Sequence, residues 1–382
     1  MSCTKPLLGY KQSDGTYKIT SASGVQNLAE HLAMHPNCRV LPCGHCMECR
    51  LEYSRQWANR MMLELSVLKK AIFLTLTYDD SHVPVSEWSP SVPPPCFLPC
   101  KKQDVLLDQE YLVPSSLTLV KRDVQLFIKR LRKHFKDIKI RYYLAGEYGD
   151  VKYSQRPHYH AIIYGLSIDD FKTCERGELC RTCSCSEEKY RKCVKSMLKV
   201  PCGKNELGDR YFTSPLLESI WKNGHILFSE VSWKTCAYVA RYVTKKVNGS
   251  MSLDYVVRNV QPEFSLQSRR PGIGRLYLDR YPDVFDFSSI NVSSPQGGLK
   301  MPIPKYFKRV MNTEKISVDE KRVKNPLYNK EKYDILKEQA RENAFNVLVL
   351  RHKDTDLCEI EYLDMCERAK KDSLLALKRN KI

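Results

Sequence analysis

His158 and His160 stand one residue apart in Arg156–Gly165, "RPHYHAIIYG". If this run is a strand, residues two apart share a face. The two imidazoles then point the same way, and Tyr159 points opposite. Neutral imidazoles on one face are good ligands for a divalent ion. The preceding apolar run, Ile138–Gly149, "IKIRYYLAGEYG", reads as a second strand, in which Arg141, Tyr143, Ala145 and Glu147 share a face. A short polar connection would let the two strands pair and bring Glu147 to the histidines. Asp150 is the rival carboxylate, but it falls in the turn. Two His and one carboxylate make a mixed nitrogen and oxygen site that accepts Mg²⁺ or Mn²⁺, and also Zn²⁺, with positions left open for a substrate oxygen.

The second constellation lies in Thr235–Gly249, "TCAYVARYVTKKVNG". Tyr238 and Tyr242 are four apart, so they stack on one face of a helix, with Lys245 in the same sector. Cys236, Val239, Ala240, Val243 and Val247 form the aliphatic stripe. That stripe is expected to pack on the edge of a sheet, leaving the tyrosine face toward a groove. A phenol is a poor nucleophile while protonated. A cation beside it and a divalent ion on the attacked phosphate would offset that. Together these parts describe attack by tyrosine on a phosphodiester, with the protein left joined to one end.

Cysteines make a third constellation. Cys43, Cys46 and Cys49 form a C-x₂-C-x₂-C run, and Cys180 and Cys183 a C-x₂-C pair with Cys174, Cys185, Cys193 and Cys202 nearby. No signal-like segment precedes them, so the 16 cysteines are expected to be thiols or metal ligands in a reducing compartment. Such spacings suit structural Zn²⁺, the first set completed by Cys38 or by a distant cysteine.

The charge balance names the partner. There are 62 Lys and Arg against 44 Asp and Glu, a net +18, which favours an acidic polymer such as nucleic acid. No apolar run reaches a membrane-span length, so no membrane partner is expected. A P-loop and a glycine-rich nucleotide cradle are also absent from the sequence, so any unwinding activity would come from another protein.

Several elements must position these residues. Trp57, Met61, Leu65 and Leu68 recur at helical spacing, with Arg50, Arg55 and Arg60 off the apolar face. "AIFLTLTYDD", Ala71–Asp80, is a strand, followed by a proline-rich loop. Val124, Phe127, Ile128, Leu131 and Phe135 line one side of a helix. The opposite side carries Lys129, Arg130, Arg132 and Lys133, of which Arg130 and Lys133, with Arg241 of the tyrosine helix, are the expected phosphate contacts. Residues 223–232 make a further strand, and the tail beyond about 320 is helical. The expected class is α+β: a mostly antiparallel central sheet flanked by helices, with a cysteine-rich insertion near 166–210 and a helical C-terminal region. The expected segments are 1–70, 71–250 and 251–382.

These residues carry a family resemblance. The His158–Tyr159–His160 run resembles the histidine motif of the HUH endonucleases, "FLTLTY" (Phe73–Tyr78) their first strand motif, and Tyr238, Tyr242 and Lys245 their tyrosine motif. More closely, "CGHCMECRLEYSRQWANR", "GEYGDVKYSQRPHYHAIIYG" and "YVARYVTKK" are similar to segments of microvirus replication initiators, especially those of gokushoviruses, over roughly 38–250. Arg241 stands where related initiators often carry Lys, and the cysteine-rich lobe at 174–202 has no counterpart in the pattern. The resemblance implies the HUH fold, Glu147 as third metal ligand, and rolling-circle initiation on single- and double-stranded viral origin DNA. It also implies a host helicase and polymerase as partners, in the cytoplasm of an infected bacterium. One tyrosine would nick and hold the 5′-phosphate, the 3′-hydroxyl would prime synthesis, and the second tyrosine would act after one circuit. Two other readings fit the same residues: a two-tyrosine transposase, and a non-enzymatic zinc-dependent nucleic-acid-binding protein with the tyrosines as a stacking platform.

Overall fold

The computed structural model describes residues 3–86, 116–149, 156–174, 192–204, 209–242, 255, 259–294, 297–318, 321–352 and 358–376. By internal contacts the chain divides into two units, one from 1–56, 281–290 and 301–381, the other from 57–280 and 291–300.

The first unit opens with β1 (Leu7–Lys11), β2 (Tyr17–Ser21), α1 (Leu28–Met34) and β3 (Cys38–Leu41). The three strands form an antiparallel sheet with β1 in the middle. Leu8, Ala22, Leu28 and Cys38 make its small core. The sequence reads as merely polar and mixed here, because strands this short show little alternation. Helix α2 (Met47–Leu68) follows.

The second unit is built on an eight-stranded sheet. Its elements in chain order begin with β4 (Ala71–Tyr78), then the short pair β5 (Val85–Ser86) and β6 (Ser116–Leu117), and α3 (Lys121–His134). Next come β7 (Arg141–Tyr148), β8 (Pro157–Tyr164), β9 (Lys172–Thr173), β10 (Leu198–Lys204), β11 (Arg210–Thr213), α4 (Pro215–Trp221), β12 (Gly224–Glu230), α5 (Trp233–Tyr242), β13 (Phe264–Gln267) and α6 (Arg275–Arg280). The sheet order is β13-β7-β8-β4-β12-β11-β10-β9. Every pairing whose register is resolved is antiparallel except β9 with β10. The protein is therefore α+β, with a large mixed sheet flanked by helices. Strands β9 to β11 draw the described part of 166–210 into this sheet, where the sequence suggested a separate lobe.

Alternation divides the sheet into two faces. Ile72, Leu74 and Leu76 of β4, Leu144 of β7 and Tyr159, Ala161 and Ile163 of β8 face one way. They bury the stripe Val124, Phe127, Ile128, Leu131 and Phe135 of α3, together with Leu216, Leu217, Ile220 and Trp221 of α4. The opposite face carries Phe73, Thr75 and Thr77 of β4, Arg141, Tyr143 and Glu147 of β7, and His158 and His160 of β8. The C-terminal half of α2 packs here. Trp57 meets Tyr143 with ring centroids 4.9 Å apart, and the Tyr164 hydroxyl donates to the Met61 carbonyl at 2.9 Å. Arg60 lies inside this packing, contrary to the sequence reading. Its Nε donates to the Ile273 carbonyl at 2.9 Å, and its guanidinium sits 4.0 Å over the Trp57 ring. The flat, weakly hydrated guanidinium can be buried where an apolar count of the helix would leave it outside.

Hairpin β14 (Ser289–Ser294) with β15 (Gly297–Pro302) leads on to α7 (Lys305–Met311). A second hairpin, β16 (Lys315–Val318) with β17 (Lys321–Lys324), precedes the expected helical tail, α8 (Lys330–His352) and α9 (Glu359–Ala376). No helix among the described residues is long and apolar enough to cross a membrane.

Candidate metal and tyrosine site

The register of one hairpin assembles the first three residues. Glu147 of β7 is opposite His158 of β8, and Ala145 is opposite His160. On the other flank of β8, Thr75 of β4 is opposite His160. Glu147 Oε1 lies 2.8 Å from His158 Nε2 and 3.2 Å from His160 Nε2. The ligand atoms of the three residues all fall within 4.8 Å of one another.

Each ring has its far nitrogen occupied. His158 Nδ1 donates to the Arg156 carbonyl at 3.0 Å, and His160 Nδ1 pairs with Thr75 Oγ1 at 3.0 Å. Such partners orient an imidazole and reserve its other nitrogen for a metal. The Glu147 side chain is 3% exposed. Burial alone would raise its carboxyl, but hydrogen bonds from His158 and His160 and their charge hold it well below the usual carboxylate range. A buried, ionised carboxylate with two convergent imidazole nitrogens fits a divalent ion. His158, with 19% of its side chain exposed, is the most open of the three.

Helix α5 brings the tyrosines to the same place. The Tyr242 ring stacks on His160 with centroids 4.8 Å apart and planes 9° apart. The Tyr238 ring meets His160 edge-on at 5.1 Å and Tyr242 at 4.7 Å. Phe73 stacks on the other side of His160 at 5.7 Å. The Tyr242 hydroxyl is hydrogen-bonded to Glu147 and to Tyr238. Burial pushes the Tyr238 phenol up to about 12, with the Tyr242 hydrogen bond and the Arg241 charge pulling the other way. Burial and the negative charge of Glu147 push Tyr242 higher still.

This corrects the expected placement of α5. It packs over the inner strands β7 and β8, not on the sheet's edge. Its tyrosine face is closed against His160, and Cys236, Val239 and Ala240 are buried as well. Ten residues of which five are buried lie between layers, which a two-sided stripe in the sequence resembles only weakly.

The remaining sequence candidates divide. Lys245, Asp150, Cys180 and Cys183 lie outside the described residues. Lys133 and Arg241 are exposed, on α3 and α5. Arg130 is already engaged: its Nε donates to the Ile220 carbonyl at 2.6 Å and its Nη2 to the Trp221 carbonyl at 2.7 Å. It satisfies the last carbonyls of α4, which have no partner inside the helix. Its expected role as a phosphate contact gives way to this one. Cys43, Cys46 and Cys49 converge, but their fourth neighbour is Cys3, not Cys38, which belongs to the small core beside β1. Thr75 and Phe73 escaped the sequence reading as site residues. Their alternation in "FLTLTY" puts them on the histidine face, but nothing in the sequence says that β4 lies next to β8.

Comparison with known proteins bears on the same segment. Residues 108–247, which hold Glu147, His158, His160, Tyr238 and Tyr242, match the family model of the replication-associated protein ORF2. The chain is 26% identical over 321 residues to the replication-associated protein ORF2 of Spiroplasma virus 4, covering 82% of this chain and 81% of that one. It is 27% identical over 314 residues to the replication-associated protein VP4 of Bdellovibrio phage phiMH2K, covering 80% and 76%. It is 26% identical over 274 residues to the replication-associated protein ORF4 of Chlamydia phage 1, covering 71% and 53%. No solved structure matches. The chain is thus a homologue of phage replication-associated proteins, and through the segment that carries its histidines and tyrosines it matches the replication-associated protein ORF2 family.

Proposed function

We propose that the protein initiates rolling-circle replication of a small single-stranded DNA phage, as an HUH-type nickase and strand-joining enzyme working in the cytoplasm of the infected host. The observation that carries this reading is the packing of both tyrosine rings on His160, within a site whose Glu147, His158 and His160 converge. A stacking platform for bases would turn its aromatic faces outward. Here the faces are spent on the histidine, and the tyrosines offer their hydroxyls beside the metal-ligand atoms.

Glu147, His158 and His160 would hold Mg²⁺ or Mn²⁺, which when bound would polarise a phosphate oxygen. The residues of the chain do the rest. A tyrosine Oη forms a bond to phosphorus as the bond to the 3′-oxygen breaks. The phenolic proton is lost to water, and the departing oxygen takes one up. The tyrosine then holds the 5′-phosphate, and the free 3′-hydroxyl is available to a host polymerase, with a host helicase opening the duplex. One phosphodiester has been exchanged for another, so the reverse attack can close a circle without ATP. Two tyrosines on one ring stack let one hydroxyl attack while the other is occupied. The transposase alternative has no support in the relatives, which are replication-associated proteins.

The test is to incubate the protein with Mn²⁺ and labelled single-stranded viral origin DNA and look for an adduct that survives denaturation. His158→Ala with His160→Ala should abolish it while leaving most DNA binding, since affinity comes mainly from phosphate contacts. Undiminished cleavage by the double variant in chelator would overturn the assignment.

A further inference from the structure

Four cysteines meet in the first unit, none of them part of the site described above. Cys3 and Cys46 are buried, Cys43 and Cys49 half-buried, and their sulfurs all lie within 4.8 Å of one another. All four are free thiols. Cys46 Sγ is 3.8 Å from Cys3 Sγ, too far for a disulfide. Four thiolates placed tetrahedrally at about 2.3 Å from one zinc ion would be roughly 3.8 Å apart. A cluster holding several irons would spread its four ligands more widely than this quartet is spread.

The backbone around the quartet is arranged to receive negative sulfur. The amides of His45 and Cys46 donate to Cys43 Sγ at 3.4 and 3.2 Å, and the amide of Cys43 donates to Cys3 Sγ at 3.3 Å. Gly44 takes φ +78° to turn the chain between Cys43 and Cys46, a conformation in which a side chain is strained. Cys46 then starts α2, its carbonyl accepting from the Arg50 amide at 3.1 Å, and Cys49 lies in the first turn.

We propose that Cys3, Cys43, Cys46 and Cys49 form a closed four-thiolate site for one Zn²⁺ that pins the N-terminal segment to the start of α2. Four protein ligands leave no position for substrate, so the ion is structural. It also organises the end of the chain. Thr4 Oγ1, next to Cys3, donates to Glu367 of α9 at 3.3 Å, and Lys5 pairs with the same carboxylate at 3.5 Å. Lys370 of α9 pairs with Glu48, next to Cys49, at 3.7 Å. Helix α9 is thereby moored to residues on both sides of the ion.

The experiment uses the full chain, purified with reductant and without chelator, and counts zinc by elemental analysis. Cys3→Ser and Cys49→Ser should each lose one equivalent relative to the parent. Cys38→Ser, a buried thiol outside the quartet, should lose none, and neither should His158→Ala with His160→Ala. The last variant separates this site from the nickase reading, because it removes the other candidate ligands. A second measurement needs no variant. In the folded parent, Cys3, Cys43, Cys46 and Cys49 should resist alkylation together and become reactive together on adding a strong chelator, with amide exchange in α9 rising at the same time. Zinc content unchanged by Cys3→Ser and Cys49→Ser would overturn the proposal. So would quartet thiols in the untreated parent that react as fast as they do after chelation.

Discussion

Thr75 acts on His160 through a single hydrogen bond, 3.0 Å from Oγ1 to Nδ1. Removing it leaves the ring in place between Phe73 and Tyr242 but releases its tautomer and tilt. Loss of an outer-shell partner of this kind typically costs 10–100-fold in metal affinity. Thr75→Val should therefore raise the Mn²⁺ concentration needed for half-maximal adduct formation by about 10–100-fold, and Thr75→Ser should restore it. An unchanged Mn²⁺ requirement in the valine variant would mean that the hydroxyl does not orient the ring. The tyrosines give a sharper test. Tyr238→Phe and Tyr242→Phe keep the ring packing and remove the nucleophile. Each single variant should still form a covalent adduct on a short origin oligonucleotide but fail over repeated circles, and the double variant should form none. Peptide mapping decides the point: DNA attached to neither tyrosine would rule out the mechanism.

At the scale of elements, α3 shows how one helix face serves two purposes. Arg130 holds the end of α4, whereas Lys133 one turn on is exposed. Hydrogen bonds from a charged group contribute about 1.5–3 kcal/mol. Arg130→Ala should lower unfolding stability by about 2 kcal/mol, read from the denaturant midpoint at constant slope, with little change in DNA affinity. Lys133→Ala should do the reverse: little change in stability, and a salt dependence of DNA binding that is shallower by about one unit. If Arg130→Ala instead weakens DNA binding at unchanged stability, its capping role is secondary.

Across the whole molecule, the net charge of +18 sets the expected mode of binding. Affinity for single-stranded DNA should fall linearly in log–log coordinates as salt rises, with a slope of about −0.7 per phosphate contacted. The slope should be similar for origin and unrelated sequences, because phosphate contacts carry no base information. Covalent adduct formation should separate the two DNAs even where binding does not. Salt-independent binding measured by fluorescence anisotropy would show that the positive charge is not used on the DNA backbone.

Much of the site is legible in the residues themselves. His158 and His160 two apart in a strand must share a face, and Tyr238 and Tyr242 four apart in a helix must share another, whatever the fold around them. The stripe of α3 is equally local, and all five of its apolar positions are buried. The pairing of Glu147 with His158 followed once a hairpin was assumed, since register is set by a short connection. What depends on distant chain is not readable in this way. That α5 lies over β7 and β8, that Thr75 meets His160 across 85 positions, and that Arg130 reaches the end of a helix 90 residues on are consequences of packing among nonlocal elements. Cys3 joins a run 40 positions later for the same reason. Spacing along a strand or helix is fixed by covalent geometry and so travels with the sequence. Which elements become neighbours is decided only when the sheet closes its order and the helices find their faces.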